Sequence, residues 1–265
     1  MTTLIQAPPS LTLRVGTLEV RLATTFAELD AALRLRFEVF NLELQEGLTA
    51  SYERGFDQDP YDAWCDHLIV RELTTEAVVG TYRLLRGGVA AKQLGFYSEN
   101  EFDLSRLKRL PGEALELGRS CVAQSHRSFA TINLLWSAIT QYAEQRGLRY
   151  LFGCASLHSA AAAEVQPLYS YLRQHHFAPE EFRVTPLEHC RMPLQEDNAA
   201  PLDTRAARRQ LPPLLKGYLR TGAVVCGAPA FDAEFGTADV LMLMQLQQMA
   251  ARYQQHYGVE ERPWN

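Results

Sequence analysis

In Leu115-Glu-Leu-Gly-Arg-Ser-Cys-Val122 a carboxylate and a guanidinium lie close together on a segment that reads as a strand. Strict alternation sends Glu116 and Arg119 to opposite faces. A bulge at Gly118 shifts the phase by one residue, returns both to one face and leaves backbone groups unpaired. An N–H freed there can bind a substrate carbonyl with the Glu116 carboxylate nearby. The competing reading is an ordinary structural ion pair within a strand. Two more arginines stand among apolar neighbours. On a helical wheel Arg36 falls beside Leu29, at the edge of a face formed by Phe26, Leu33 and Phe40, and Arg83 interrupts Val78–Leu85. A guanidinium out of water needs carboxylates or a wet site, unless it snorkels past the stripe to solvent. Asp66 and Glu116 are the acids this pattern offers. Other constellations are weaker. His175 and His176 lack the i, i+4 spacing of a metal-binding helix face, so no metal is expected. Cys154 with His158 reads as packing rather than as nucleophile and base. No G-x-S-x-G, P-loop or dinucleotide fingerprint competes.

The elements that would hold these residues follow from periodicity. Leu18, Val20 and Leu22 alternate with Glu19 and Arg21 as in a half-buried strand. Thr25 and Glu28 have capping-box spacing, which predicts a helix from about 26 to 40. A loop rich in aromatic and acidic residues, Tyr52 to Trp64, precedes a hairpin of His67–Leu73 and Ala77–Leu85. After the strand bearing Glu116, a stripe of Ile132, Leu135, Trp136, Ile139 and Tyr142 ends at Gly147. Leu148–Ala155 is a strand, and Leu168–His175 a helix with Pro167 near its start. Four prolines within Pro193–Pro213 mark a connection, and strands at about Ala223–Ala230 and Val240–Met244 flank a loop holding Gly236. This order predicts an N-terminal extension over 1–17 and one α/β domain over 18–265, with an excursion at about 193–213.

Length and composition set the outer limits. The 265 residues are 47% hydrophobic and 22% charged, enough for one or two compact units with a full core, which excludes disordered, collagenous and repeat classes. Five separated cysteines without a C-x-x-C suit a reducing, intracellular setting. Pro8 and Pro9 argue against a secretory signal, and Phe129–Ala143 falls short of the roughly 20 apolar residues of a membrane span. A net charge of −5 opposes nucleic-acid binding. Against that background Arg205, Arg208, Arg209, Lys216 and Arg220 form a run without acids, which is either a solvated face or a surface for an acidic partner or an anionic membrane.

The strand Leu115–Val122, with Trp136 and Tyr150-Leu-Phe-Gly-Cys-Ala-Ser-Leu157, resembles the ornithine acyl-carrier-protein N-acyltransferases that begin ornithine-lipid synthesis, a branch of the GNAT superfamily. Cys65-Asp-His-Leu68, Gly80–Leu85, Pro212–Arg220 and Phe235–Asp239 match the same branch, so the resemblance runs from about 30 to 245. The chain is more distantly similar to acyl-homoserine-lactone synthases in Arg36 with Phe40, in an acidic cluster before the second strand, in Arg83 and in Glu116-x-x-Arg119. The resemblance implies a GNAT-like mixed, largely antiparallel central sheet with helices on both faces.

It further implies transfer of a long-chain, 3-hydroxy acyl group from acyl carrier protein to the α-amine of L-ornithine, giving lyso-ornithine lipid. An α-ammonium must lose a proton before attack. Glu116, directly or through water, is the implied base. Arg119 orients it, and a backbone N–H near Cys121 or Val122 stabilises the oxyanion. Arg36, Asp66 and Arg83 hold the zwitterionic acceptor or build its pocket. The glycine-rich loop with which CoA-using GNAT enzymes cradle a pyrophosphate is replaced here by Gln124–Ala130, which fits the single phosphate of acyl-phosphopantetheine, with Arg127 to meet it. No permanently bound cofactor is implied. Tyr169 and Tyr171 lie where such enzymes often place a tyrosine acid, but their spacing to Phe177 departs from the pattern and neither is assigned. The implied location is cytoplasmic or peripheral on the inner face of the membrane. Two other readings stay open: a synthase of the acyl-homoserine-lactone or N-acyl amino acid type with a different amine, and a non-catalytic carrier-binding or membrane-binding module.

Overall fold

Leu18, Val20 and Leu22 do form a strand, but the chain enters it from an earlier one inside the expected extension. Thr12–Val15 pairs antiparallel with Leu18–Leu22 across a two-residue turn, and Gly16 at φ +60° supplies the left-handed conformation such a turn requires. The computed structural model describes residues 11–195 and 203–248. Residues 1–10 of the expected extension and 196–202 of the expected excursion lie outside the described residues. In chain order the elements are β1 (Thr12–Val15), β2 (Leu18–Leu22), α1 (Phe26–Phe37), α2 (Ser51–Arg54), β3 (Asp66–Glu72), β4 (Val78–Arg86), α3 (Gly87–Ala90) and β5 (Phe102–Asp103). Then come β6 (Ala114–Val122), α4 (Phe129–Gln145), β7 (Tyr150–Ser156), α5 (Ala162–His176) and β8 (Thr185–Pro186). The last are α6 (Thr204–Gln210), α7 (Pro213–Thr221), β9 (Val224–Val225), β10 (Ala230–Asp232) and β11 (Thr237–Gln245). The chain divides into two compact units, one running to Leu85 and resuming over Leu117–Leu148, the other comprising Arg86–Glu116 and the residues from Arg149 on. Strand β6 contributes to both.

In the first unit β1, β2, β3 and β4 pair antiparallel in sequence order, and the C-terminal part of β6 lies beside β4. Val20, Leu68, Ile69 and Val70 are buried there together with Ala138, Ile139 and Tyr142 of α4. Glu19 departs from the expected alternation: it is buried beneath Arg14, Arg21 and Arg71, whose charges replace its water. The α1 capping box forms as its spacing requires, with Thr25 Oγ1 accepting from the Glu28 N–H and Glu28 from the Thr25 N–H, each at 3.3 Å. The face it presents is only partly the expected one. Leu33 is buried as expected, along with Ala32, Leu35, Arg36 and Val39, but Phe26, in the first turn, is 94% exposed, and a π-helical turn over Glu38–Glu43 moves Phe40 out of line. Similarly, Ile132 of the expected α4 stripe is exposed, since it sits in the first turn, while Leu135, Ile139 and Tyr142 are buried.

In the second unit Ala114–Glu116 of β6 runs parallel to Tyr150–Phe152 of β7, and β7 is antiparallel to β11, which also pairs with β10 and β9. Every residue of Thr237–Met244 is buried, the mark of a strand covered on both faces. Helix α5 begins at Ala162, so Pro167 stands inside it rather than at its entry. Val165, Leu168 and Leu172 bury its apolar side, and this packing outweighs the missing N–H. The expected connection at 193–213 contains helix α6.

Candidate active site

Arg36 is 1% exposed, in the middle of its helix face rather than at the edge, and it does not reach solvent. Its Nε donates to Asp57 Oδ1 at 2.8 Å and its Nη1 to Asp62 Oδ1 at 2.7 Å, with a further close contact from Nη2 to Asp57. Arg83 Nη1 lies 2.6 Å from both oxygens of Asp59 and 3.2 Å from Asp62. Arg119 Nη2 donates to Asp59 at 2.9 Å, and its Nε lies 3.4 Å from Asp57. Three buried guanidiniums thus meet three carboxylates. A 3₁₀ turn over Pro60–Trp64 presents the acids: Asp59 caps it by accepting from the Tyr61 N–H at 2.8 Å, and Asp62 returns a bond to the Asp59 N–H at 2.9 Å. Burial alone would raise the Asp62 pKa, but the charges of Arg36 and Arg83 hold it well below the usual carboxylate range. His67 beside them, its Nε2 donating to the Asp62 carbonyl at 3.1 Å, has a pKa lowered by burial.

The acids expected for these arginines were Asp66 and Glu116, and the structure supplies Asp57, Asp59 and Asp62 instead. Asp66 is exposed and accepts from the Tyr142 hydroxyl at 2.5 Å. The loop's Asp-x-Asp-x-x-Asp spacing was the available signal, but a loop has no periodicity from which to assign directions. The backbone irregularity of β6 also falls one residue later than expected, at Arg119, whose φ is +49°. A non-glycine residue persists in that region only where its surroundings over-determine it, and here its guanidinium is held by two carboxylates.

Glu116 is 4% exposed and stands at the last residue of the parallel pairing with β7. Its Oε2 accepts from the Tyr97 N–H at 2.7 Å, and its Oε1 from the Ser98 N–H at 2.7 Å and the Ser98 hydroxyl at 2.6 Å. The 3₁₀ turn Tyr97–Asn100 therefore aims two backbone donors and a hydroxyl at one carboxylate, a partner set that sequence periodicity does not reveal. Phe96 packs edge-on against Phe152 of β7 at 4.9 Å between centroids, fixing the entry to that turn.

Cys121 is buried, and burial pushes its thiol up to about 12, so it serves as packing. The Val122 carbonyl accepts from Arg127 Nε at 3.0 Å. Arg127 also forks onto Glu43, with Nη1 and Nη2 at 2.5 and 2.6 Å from its two oxygens. It follows a short 3₁₀ turn, Gln124–His126, and Ser128 caps α4 by accepting from the Thr131 N–H at 3.2 Å. Tyr169 and Tyr171 are buried in α5, their hydroxyls 3.2 Å from Arg173 and 3.4 Å from His176. Burial raises the thiol pKa of Cys154 well above its ordinary value, with the charges of Glu101 and Asp239 adding to the effect.

A family model described as an acetyltransferase (GNAT) domain matches residues 35–137. Among solved structures, FeeM, an N-acyl amino acid synthase from uncultured soil microbes, matches with a TM-score of 0.56 at 11% identity, over 92% of this chain and 98% of that one. The AHL synthase LasI matches with a TM-score of 0.54 at 16% identity, over 92% and 98% of the two chains. The α/β fold with its largely antiparallel sheet is accordingly that of a GNAT acyltransferase. The L-ornithine N(alpha)-acyltransferase of Brucella abortus (strain 2308) is 38% identical over 257 residues, covering 93% of this chain and 91% of that protein. That of Rhizobium meliloti (strain 1021) is 38% identical over 267 residues, covering 97% and 90%. The chain belongs to the L-ornithine N(alpha)-acyltransferase family. It is an enzyme, which sets aside the non-catalytic alternative.

Proposed function

We propose that this enzyme moves a long-chain 3-hydroxyacyl group from the phosphopantetheine thioester of acyl carrier protein to the α-amine of L-ornithine, giving lyso-ornithine lipid. The observation that carries the acceptor is 38% identity along almost the full length of enzymes named for that amine. In the reaction the amine nitrogen bonds to the thioester carbonyl carbon, the carbon–sulfur bond breaks, and the carrier thiol leaves with one proton. The ammonium of the acceptor must release protons to a base, and Glu116, fixed by three donors, takes that role directly or through water. A backbone N–H near Cys121 or Val122 meets the oxyanion. Arg119 is a positioning residue that holds β6 through Asp57 and Asp59. Arg36 and Arg83, too buried to meet solvent, act by fixing the turn that carries Asp57, Asp59 and Asp62, and Asp66 is anchored by Tyr142. Arg127 faces the phosphopantetheine phosphate in exchange for Glu43.

The absence of glycine from Gln124–Ser128 supports a carrier-bound donor with one phosphate over CoA. The test is release of free thiol from 3-hydroxyacyl carrier protein with a panel of amines, including ornithine, other amino acids and S-adenosylmethionine. Ornithine-dependent thiol release with formation of the amide supports the reading. Release that depends on a different amine overturns the acceptor, and equal turnover with acyl-CoA overturns the donor.

A further inference from the structure

Three buried acids of the second unit, Glu101, Asp232 and Asp239, take no part in the proposed reaction as described so far. Glu101 follows the turn that carries Ser98, Asp232 ends β10, and Asp239 lies in β11 opposite Ser156. Asp232 is occupied, its Oδ1 accepting from the N–H groups of Glu234 and Phe235 at 2.8 and 3.0 Å. Asp239 accepts from the Thr237 hydroxyl at 2.8 Å. Glu101 differs. It is 4% exposed, and neither of its oxygens meets a donor of ordinary hydrogen-bond geometry. One of its oxygens, the Cys154 sulfur and an Asp239 oxygen all lie within 4.8 Å of one another.

Burying a carboxylate without a partner is costly. The carboxyl of Glu101 is pushed up to about 9, first by burial and then by the charges of Asp239, Asp232 and Glu116, with the Cys154 thiol opposing weakly. The thiol of Cys190, raised by burial, is raised further by the charges of Glu101 and Asp232. The charges acting most strongly on Glu101 thus share its own sign, so the group is arranged to receive a cation. The cluster is also joined to the proposed base: Ser98 Oγ donates to Glu116 at 2.6 Å and lies 3.3 Å from the Cys154 sulfur.

We propose that Glu101, with Asp239 beside it, receives the side-chain ammonium of the amino-acid acceptor while the acceptor's α-amine lies at Glu116. The inference rests on the proposed reaction and adds the residues that select a diamino acid. An ammonium brings three donors and a positive charge to the orphaned carboxylate. An acceptor with an uncharged side chain brings neither donors nor charge, so the carboxyl stays protonated, buried and unsatisfied, which is how a polar site rejects an analogue.

The test compares kcat/KM for L-ornithine with that for L-norvaline, which has the same carbon chain without the second amine, at saturating acyl carrier protein. The wild-type enzyme should prefer ornithine, and in Glu101→Gln the ornithine-to-norvaline ratio should fall by about 10-fold or more. A folded variant with an unchanged ratio overturns the assignment. A second measurement needs no variant: calorimetric titration of the wild-type enzyme in two buffers of different ionisation heat near pH 8. Ornithine should release more protons than norvaline, because Glu101 must ionise to bind the ammonium. Equal release overturns the proposal. Thermal stabilisation by zinc or manganese chloride, reversed by a chelator and accompanied by an unchanged ratio, reassigns the cluster to a metal ion and overturns it as well. If the wild type makes no amide from ornithine, the proposed reaction falls and the inference with it. Amide formation with an unaltered ratio sinks the inference alone.

Discussion

Glu116 carries the clearest expectation for a single side chain. Glu116→Gln keeps the shape and removes the base, so amide formation should fall by about 10² to 10⁴ while circular dichroism stays that of a folded enzyme and Tm falls modestly, because the amide nitrogen meets a backbone N–H where an oxygen accepted. Near-normal turnover in a folded variant removes Glu116 from the mechanism. Cysteines should matter little to the chemistry. Burial raises the thiols of Cys121, Cys154 and Cys226 above their ordinary values, so brief treatment of the native enzyme with iodoacetamide should leave activity largely intact. A trapped acyl-cysteine refutes direct transfer. Glu101 gives a pH signature of defined sign. With its folded pKa near 9 against 4.5 for an ordinary glutamate, the native state holds a proton that the unfolded state has lost, so stability falls as pH rises between those values. Asp239, Asp232, Glu116, Cys154 and Cys190 face it, and the charges of Asp239, Asp232 and Glu116 act on its carboxyl in the same direction as burial. Glu101→Gln should therefore flatten the alkaline loss of Tm, and an unchanged slope in a pH series of melting curves contradicts the assignment.

Secondary elements explain what could be foreseen and what could not. Thr25 and Glu28 announced the start of α1, and the strands around Arg83 and Glu116 followed from apolar runs, because capping and alternation are local signals. Arg36 was legible as a charge in need of acids. Which acids answered it was not, since Asp57, Asp59 and Asp62 sit on a 3₁₀ turn whose directions only the folded chain fixes. Phe26 misled for a similar reason: a first-turn residue counts toward the apolar stripe on a wheel yet faces water, and the π turn at Glu38–Glu43 reset the phase beyond it. Glu101 and Asp239 come from a loop and an apolar strand, so no pattern in the sequence joins them. The buried network sets an element-level expectation. Arg36→Met leaves Asp57 and Asp62 without their main partner and should cost about 3–5 kcal/mol in urea unfolding. Arg34→Ala, on the exposed side of the same helix and paired with the exposed Asp30, should change little. Equal costs would mean that the buried pairs contribute no more than the exposed one.

The chain as a whole is acidic, yet Arg205, Arg208 and Arg209 are all exposed on α6, and Lys216 and Arg220 follow on α7. No helix among the described residues is long and apolar enough to cross a membrane. Under the proposed reaction such a face fits an acidic carrier protein. Reversing Arg205, Arg208 and Arg209 to glutamate should raise the apparent KM for the acyl carrier and flatten its salt dependence, with little change in kcat. Loss of binding to anionic liposomes with an unchanged carrier KM assigns the face to a membrane surface instead, and no change in either leaves it a solvated helix side. The charge cluster around Arg36 bears on a different property, the order in which the molecule assembles. Its ion-paired partners lie 21 to 62 residues apart in sequence, and a guanidinium that loses its water before its carboxylates arrive gains nothing. These six groups must therefore dehydrate together, late on the folding route, after the strands that deliver them have paired. Assembly of the first unit then carries an electrostatic barrier that an all-apolar replacement would lack, so such a variant would reach its native state sooner while giving up the specificity that the charges enforce.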